Sequence, residues 1–340
     1  MPHTLPLHAC LFALLALLPA LARAQPTTTV TTDAELRAAL RSATPGATIR
    51  LAPGTYRGGL YVEALRDVTI TGDPDKPTVI RGGNNGVHFT RCTGLTVEHL
   101  TIEDTRDNGL NIDEGGPDQP PAADITLRRV TVRNVGPRGN HDGIKLSGLR
   151  RFRLEDCRVE RWGDGGSAID MVGCHDGVIT RCTLDGTGRP ASTGIQAKGG
   201  SANVRITACL FLDAGARAVN LGGSTGEPFF RPPLRRAGNT EARDITVTGC
   251  VFVGSEAPVA FTTSAHCSVA GNLIVAPRRW VFRLLQEQPT DRFLASGDHA
   301  LTANVILFPP DPRRLSNVGP DTRPDTLHTT GNLFPLNARR

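Results

Sequence analysis

Polar side chains that can transfer protons or bind anions recur at nearly regular intervals in the middle of the chain. Lys145 and Asp170 are 25 residues apart, and Gln196 follows 26 residues later. Each of them stands between two apolar residues, as in Ile144-Lys-Leu146 and Ile169-Asp-Met171. A lysine, a carboxylate and an amide can together move a proton and hold an acidic group, provided that the fold brings them side by side.

The same apolar–polar–apolar phrase, preceded by a glycine or another small residue, recurs along the whole chain. Its copies are Gly86-Val-His-Phe89, Gly109-Leu-Asn-Ile112, Gly143-Ile-Lys-Leu146, Ala168-Ile-Asp-Met171, Gly194-Ile-Gln-Ala197, Ala218-Val-Asn-Leu221 and Pro258-Val-Ala-Phe261. Alternation with a period of two predicts a strand in each copy, with the middle residue pointing outward. A base period of roughly two dozen residues predicts a solenoid with one unit per repeat. The predicted outward row is His88, Asn111, Lys145, Asp170, Gln196 and Asn220.

Two further short strands follow in each repeat, for example Ile125-Thr-Leu127 and Val130-Thr-Val132. Three strands and three corners per turn predict an all-β fold, a right-handed parallel β-helix. A leucine-rich repeat has a similar period but requires L-x-x-L-x-L-x-x-N lines, which the chain lacks. Because the repeats run almost to the end, residues 25–340 are predicted to form one domain.

The amino end predicts a signal peptide and a cap. The apolar stretch from Leu5 to Leu21, closed by Ala22-Arg23-Ala24, is typical of a cleaved secretory signal over residues 1–24, with an uncleaved anchor as the alternative. The protein is therefore expected to be secreted or periplasmic. Thr32-Asp-Ala-Glu35 is a helix capping box and predicts a helix over about 33–43 that covers the open end of the solenoid. No later stretch is apolar and long enough to cross a membrane.

The net charge of the chain favours one class of partner. The net charge of +5 suits an acidic polysaccharide, and the chain has no basic run interleaved with aromatic residues of the kind that binds nucleic acids. A monomer is expected.

One corner position carries cysteine in four repeats and asparagine in three, which predicts a stack of buried thiols and amides, with disulfides as the alternative. Its members are Cys157, Cys182, Cys209, Cys250, Asn272, Asn304 and Asn332.

A second outward row and two insertions surround the candidate residues. Strand alternation places Asp113, Ser147, Val172, Lys198 and Gly222 two residues after the first row. Insertions of about 114–123 and 224–241 leave the strands at the same corner, so they are predicted to form the walls of a groove. Phe229-Phe230 in the second insertion either stacks on substrate or fastens the loop to the coil.

These features resemble the right-handed parallel β-helix proteins of the pectate-lyase superfamily. The resemblance is carried by the period, the three strand columns and the segment from Pro45 to Tyr56, and its amino end is similar to the alginate-lyase and chondroitinase-B group. It implies a secreted carbohydrate-active protein, most often a lyase, hydrolase or epimerase that acts on uronic-acid polymers.

We expect a polysaccharide lyase that cleaves such a polymer by β-elimination. Lys145 is the candidate base, although its pKa would have to fall towards neutrality while Asp170 opposes this change, and His141 is the reserve base. Asp170 and Lys198 complete the catalytic candidates. The candidates for substrate binding are His88, Asn111, Asp113, Gln196, Arg217 and Asn220. Asp142 and Asp170 are candidate calcium ligands because calcium prefers oxygen; otherwise no cofactor is expected.

Two other functions remain open. A glycoside hydrolase would use two carboxyl groups among Asp113, Asp142 and Asp170. Asn111-Ile-Asp113 and Gln196-Ala-Lys198 resemble two of the four motifs of polygalacturonase-like hydrolases. A non-catalytic glycan-binding or structural solenoid is the third alternative, in which Lys145 and Asp170 form a surface ion pair.

Overall fold

The computed structural model describes residues 27–116, 118–188, 192–307 and 315–335. The predicted signal peptide lies outside these residues, and the extent of the single domain stays a prediction. In the described residues the chain winds through three sheets in turn, and the neighbouring strands of each sheet are parallel. Three short strands per coil confirm the predicted parallel β-helix.

Sheet 1 contains the repeated phrase and adds one strand per coil. Its strands are Leu60–Glu63, Val87–Thr90, Leu110–Asp113, Ile144–Ser147, Ser167–Val172, Thr193–Lys198, Arg217–Gly222, Ala257–Thr262, Phe282–Leu285 and Ser316–Val318.

Sheets 2 and 3 form the other two sides of each coil. Sheet 2 consists of Thr27–Val30, Thr48–Leu51, Thr69–Thr71, Thr96–Glu98, Ala122–Arg128, Leu149–Glu155, His175–Thr180, Ser201–Thr207, Ala242–Arg243, Thr246–Thr248, Ser264–Ala265, Ser268–Ala270 and Ala300–Thr302. Sheet 3 consists of Gly54–Arg57, Thr78–Arg81, Thr101–Glu103, Thr131–Arg133, Arg158–Glu160, Thr183–Asp185, Leu210–Leu212, Val251–Val253, Leu273–Val275 and Val305–Leu307.

One α-helix, Asp33–Ser42, packs at the amino end, and Glu227–Phe229 and Pro324–Thr326 are short 3₁₀ turns. The Thr32 hydroxyl accepts a hydrogen bond from the Glu35 amide (3.2 Å), and the Glu35 carboxylate accepts one from the Thr32 amide (3.2 Å). Leu36 and Leu40 are buried. The predicted capping box and cap are thus confirmed. No helix in the described part of the chain is long and apolar enough to span a membrane.

The core is a stack of aliphatic side chains from successive coils. Ile144, Ile169, Ile195 and Val219 are paired in register on sheet 1 and are fully buried. Because strand alternation turns their neighbours outward, the same register pairs Lys145 with Asp170. The predicted strand register is confirmed.

The corner ladder is also as predicted. The described cysteines are free and buried. Beyond Cys250, the amide of Asn272 donates to Oδ1 of Asn304 (3.0 Å), and that of Asn304 donates to Oδ1 of Asn332 (3.0 Å). These amide–amide hydrogen bonds join successive coils, as the thiol stack does in the coils before them.

Candidate functional site

The middle residues of the sheet 1 strands form one continuous row on the outer face, called here the sheet 1 row. In order, it contains Tyr61, His88, Asn111, Lys145, Asp170, Gln196, Asn220, Ala260, Arg283 and Asn317. The six predicted members are therefore confirmed as direct neighbours. The second row is also in register, since Asp113, Ser147, Val172 and Lys198 occupy equivalent positions on successive strands.

A compact charge cluster occupies the centre of the sheet 1 row. The ammonium group of Lys145 donates hydrogen bonds to Oδ2 of Asp142 (3.0 Å) and to Oδ2 of Asp170 (2.6 Å). Oδ1 of Asp142 accepts from the Ser167 amide (2.8 Å). Nζ of Lys198 lies 3.2 Å from Oδ1 of Asp170, which accepts no hydrogen bond within the described residues. Two ammonium groups therefore share the Asp170 carboxylate.

The lysines and the carboxylates of this cluster differ in exposure. The side chains of Asp142 and Asp170 are only 1% and 2% exposed, whereas those of Lys145 and Lys198 are 28% and 18% exposed. An ammonium group has three N–H donors, so Lys145 retains one beyond its two carboxylate partners. The cluster presents cationic donors to solvent and keeps its carboxylates underneath.

Lysine is rare in this protein, and most of it lies in this cluster. The chain contains three lysines, Lys76, Lys145 and Lys198, and its other basic residues are arginines. Two of the three meet at Asp170. An ammonium group is a compact charge that fits between closely spaced carboxylates, whereas the guanidinium of arginine is a wide planar fork.

The electrostatics do not support Lys145 as a base. Burial alone would lower the pKa of Lys145, but Asp170 and Asp142 raise it well above its ordinary value. Lys145 therefore stays protonated at neutral pH. Burial and the charge of Asp170 raise the pKa of Asp142 to about 6, against the opposing effect of Lys145. The expectation that Asp170 acts in catalysis also needs correction, because its carboxylate is enclosed and positions the two lysines.

The structure gives no support to a calcium site at Asp142 and Asp170. The Lys145 ammonium lies between the two carboxylates, where a cation would have to bind. Within the described ranges, no group of three or more His, Cys, Asp and Glu side chains could hold a metal ion.

His141 directly precedes Asp142 of this cluster, at the entry to the Lys145 strand. Its imidazole is 29% exposed, and its Nδ1 is 3.9 Å from Oδ1 of Asp107. Asn108 joins the neighbouring coils, since its Oδ1 accepts from the Asp142 amide (2.6 Å) and its Nδ2 donates to Oδ1 of Asn111 (3.0 Å). Asn108 was not among the residues predicted from the sequence. Its place two residues before Leu110, like that of Asp142 before Ile144, is the signal that could have found it.

His88 and Asp113 were predicted as separate substrate contacts but form a hydrogen-bonded pair. Nε2 of His88 is 2.6 Å from Oδ2 of Asp113, whose Oδ1 accepts from the Thr90 hydroxyl (2.5 Å) and the Gly115 amide (2.9 Å). Although burial alone would raise it, hydrogen bonds from His88 and Thr90 hold the pKa of Asp113 below its ordinary value. Tyr61 meets His88 edge to face, 5.1 Å between ring centres, and is 64% exposed.

The remaining predicted contacts divide into accessible and buried groups. Gln196 is half-buried, with its Oε1 3.4 Å from the Ser167 hydroxyl. Arg217 donates to Glu287 (2.8 Å). Asn220 is 1% exposed and accepts from the Thr262 hydroxyl (2.8 Å), so its predicted contact with substrate is not supported.

The two insertions do not form opposite walls, which corrects the predicted groove. Arg231 of the second insertion forms an ion pair with the buried carboxylate of Glu114 in the first. The backbone carbonyl of Arg231 also lies 3.0 Å from Nε2 of His175. The insertions therefore make one continuous wall along the corner between sheets 1 and 2. Phe230 is buried and packs on Phe293, 5.6 Å between ring centres, as in the fastening alternative, whereas Phe229 is exposed.

Comparison with known proteins confirms the architecture. Residues 65–231 match the family model for a right handed beta helix region. The chain is a right-handed parallel β-helix protein. This match also confirms the predicted handedness, and the fold is the one that the sequence resemblance implies. A search of curated protein sequences found no match.

Solved β-helix structures resemble this one despite low sequence identity. An alginate lyase from Paenibacillus sp. str. FPU-7 is 16% identical with a TM-score of 0.57, covering 91% of this chain and 100% of that one. An endo-xylogalacturonan hydrolase from Aspergillus tubingensis is 11% identical with a TM-score of 0.60, covering 91% and 92%. A tailspike protein of E. coli bacteriophage HK620 in complex with pentasaccharide is 14% identical with a TM-score of 0.58, covering 91% and 63%. At these identities the likeness establishes the fold alone.

Proposed function

We propose that this β-helix protein is a polysaccharide lyase that cleaves a uronic-acid polymer by β-elimination. The observation that carries the proposal is the pair of partly exposed ammonium groups, Lys145 and Lys198, held over the buried carboxylate of Asp170. A uronate carboxylate bound by these groups would have its charge neutralised, which acidifies the proton on the adjacent carbon. A secreted or periplasmic location is part of the proposal and is supported by the apolar stretch from Leu5 to Leu21 and its Ala22-Arg23-Ala24 ending, which are typical of a secretory signal.

The partly exposed His141 is the proposed base in place of Lys145. Asp170 and Asp142 hold Lys145 protonated, so it cannot take up a proton, whereas histidine is the side chain that most often serves as a general base. In the proposed step, His141 takes the proton from the carbon next to the carboxylate. The freed electron pair forms a carbon–carbon double bond, the bond to the glycosidic oxygen breaks, and that oxygen takes up a proton from water. Asn111 and Gln196, on the same row, are proposed to bind sugar hydroxyl groups.

The hydrolase alternative is supported less well. Oδ2 of Asp142 and Oδ2 of Asp170 both contact the same nitrogen, at 3.0 and 2.6 Å. They are therefore closer together than the roughly 6.5–9.5 Å that an inverting hydrolase uses to admit water. The lysine between them and their low exposure also keep water and a glycosidic oxygen away from these carboxylates.

The reaction type is tested by incubation with polygalacturonate, alginate, chondroitin sulfate and hyaluronan. A lyase increases the ultraviolet absorbance of the unsaturated product on one of these polymers. Release of reducing ends without that absorbance would contradict elimination and favour the hydrolase.

The site is tested with His141→Ala and Lys198→Met on the active polymer. Loss of the base is expected to lower turnover by about 10²–10⁴-fold, and loss of the second ammonium to lower kcat/KM by about tenfold or more. His328→Ala and Lys76→Met are the matched controls, since both residues are remote from the sheet 1 row. Folded variants that turn over like the wild type would refute the assignment. Lys145→Met is less suitable because it leaves two buried carboxylates without their cation.

A further inference from the structure

A second group of cations lies farther along the sheet 1 face. It consists of Arg217, Arg279 and Arg283 with the ring of Trp280, and is called here the distal arginine cluster. Arg283 is a member of the sheet 1 row, two positions beyond Asn220, and only the methyl group of Ala260 stands between them. Arg217 begins the Asn220 strand and donates a hydrogen bond to Glu287 (2.8 Å). The cluster is therefore on the same face as Lys145 and Lys198.

Among the described residues, Arg283 is hydrogen-bonded to an amide and not to a carboxylate. Its Nε donates to the neutral amide oxygen of Asn317 (3.0 Å), and it forms no ion pair with any described residue. Its guanidinium stacks over the ring of Trp280, 4.9 Å from the ring centre, and Arg279 stacks on the same ring at 4.0 Å. Trp280 thus restricts the orientation of both guanidinium groups.

The local charge balance is positive. Burial and then the charge of Arg217 lower the pKa of Arg283, and Arg279 acts in the same direction. Glu287 and Glu256 oppose the shift, so three arginines face two glutamates. A half-buried cation beside other cations is unfavourable in the free protein, and binding of an anion would remove that cost.

We propose that Arg217 and Arg283 bind the carboxylate of a second uronate residue on the same polymer chain that occupies Lys145. This inference rests on the proposed function and names a distant subsite for it. The planar fork of a guanidinium donates two parallel hydrogen bonds to a carboxylate, which selects an acidic sugar over a neutral one. The strand of Arg217 is three strand spacings from that of Lys145 and the strand of Arg283 is five, or about 14 and 24 Å. An extended chain that advances by about one strand spacing per sugar residue needs five such steps, and therefore six residues, to reach from Lys145 to Arg283.

The test measures binding of tri- and hexagalacturonate, and of the corresponding mannuronates, by calorimetry. For whichever series the wild type binds, Arg283→Gln is expected to weaken binding of the hexamer by about tenfold or more and to leave binding of the trimer unchanged. Arg217→Gln is expected to act in the same way and serves if Arg283→Gln does not fold. Arg153→Gln, a change to an exposed arginine on sheet 2, is the matched control and should bind both lengths like the wild type.

Two results would overturn the subsite: unchanged affinity for the hexamer in both folded variants, or an equal loss for trimer and hexamer. The assay does not depend on turnover. A protein that binds the hexamer through Arg283 but releases no unsaturated product would retain the subsite and lose the proposed reaction.

Discussion

Lys145 and Asp170 are neighbours on one outward row, yet only the lysine is accessible. The difference arises from side-chain length. Aspartate keeps its carboxylate close to the sheet, and the longer chains of Lys145 and Lys198 extend over it. Both lysines are therefore held in place by a group that a substrate does not reach, which suits them to bind an anion at a defined position.

At this scale, the raised pKa of Asp142 predicts a pH effect on stability. Its pKa is about 6 in the folded protein against an ordinary value of 3.8, so the native state holds this proton more tightly than the unfolded chain does. As pH rises from about 4 to 6, the unfolded chain releases the proton first, and the free energy of unfolding falls. Asp142→Asn should reduce this fall by on the order of 1–3 kcal/mol.

Urea denaturation of the wild type and Asp142→Asn at intervals between pH 4 and 7 measures this difference. Asp124→Asn is the control, because an ion pair with Arg151 lowers the pKa of that exposed carboxyl. A wild-type pH profile in Asp142→Asn would show that Asp142 does not titrate in this range.

At the scale of elements, glycine corners decide where the second insertion lies. Gly173 has a φ of +60°, and a Cβ added to it would lie 2.4 Å from Cβ of Arg231. Gly200, one coil later, has a φ of +87°, and its Cβ would lie 2.6 Å from the Arg231 carbonyl oxygen. Because these glycines have no side chains, they leave a groove along the corner between sheets 1 and 2. The second insertion crosses this groove to reach Glu114.

Gly173→Ala should therefore detach the second insertion from the corner between sheets 1 and 2. The added methyl group displaces Arg231, so trypsin should cleave the segment after Arg235 or Arg236 several times faster than in the wild type. Gly271→Ala is a matched control, because its φ is +66° and no atom lies within 4 Å of the added Cβ. Equal cleavage rates in the two variants would mean that backbone strain, and not contact with Arg231, is responsible.

At the scale of the whole molecule, coils hold one another together without covalent cross-links in the described residues. The seven thiols are free and buried, and the corner ladder stacks four of them between neighbouring coils. Burial raises the pKa of the Cys92 thiol to about 11 and those of Cys174 and Cys267 to about 12, which suppresses the reactive thiolate.

The stability of the molecule should consequently be independent of reductant. We expect the same melting temperature with and without a reducing agent. We also expect the seven thiols of the described residues to react with a thiol reagent only after unfolding. A fall in melting temperature on reduction would indicate a disulfide. Rapid labelling of the native protein would indicate a corner at which a thiol is open to solvent.

The amino-acid sequence by itself determined the strand register, the corner ladder and the cap. In a solenoid, residues one period apart become neighbours, so the position of Lys145 within its phrase was enough to pair it with Asp170. The capping box of Thr32 and Glu35 is likewise local, since its partners are three residues apart.

Only the tertiary structure decided what these residues can do chemically. Asp170 is covered by Lys145 and Lys198, Asn220 is satisfied by Thr262, and Glu114 meets Arg231 from 117 residues away. Arg283 escaped the sequence analysis because its phrase, Phe282-Arg-Leu284, follows Trp280-Val281 and not a small residue. The period of the chain specifies which backbones are adjacent. Exposure and pKa depend instead on how far each side chain reaches and on which charges surround it, and these contacts are made between coils and insertions that the repeat does not encode.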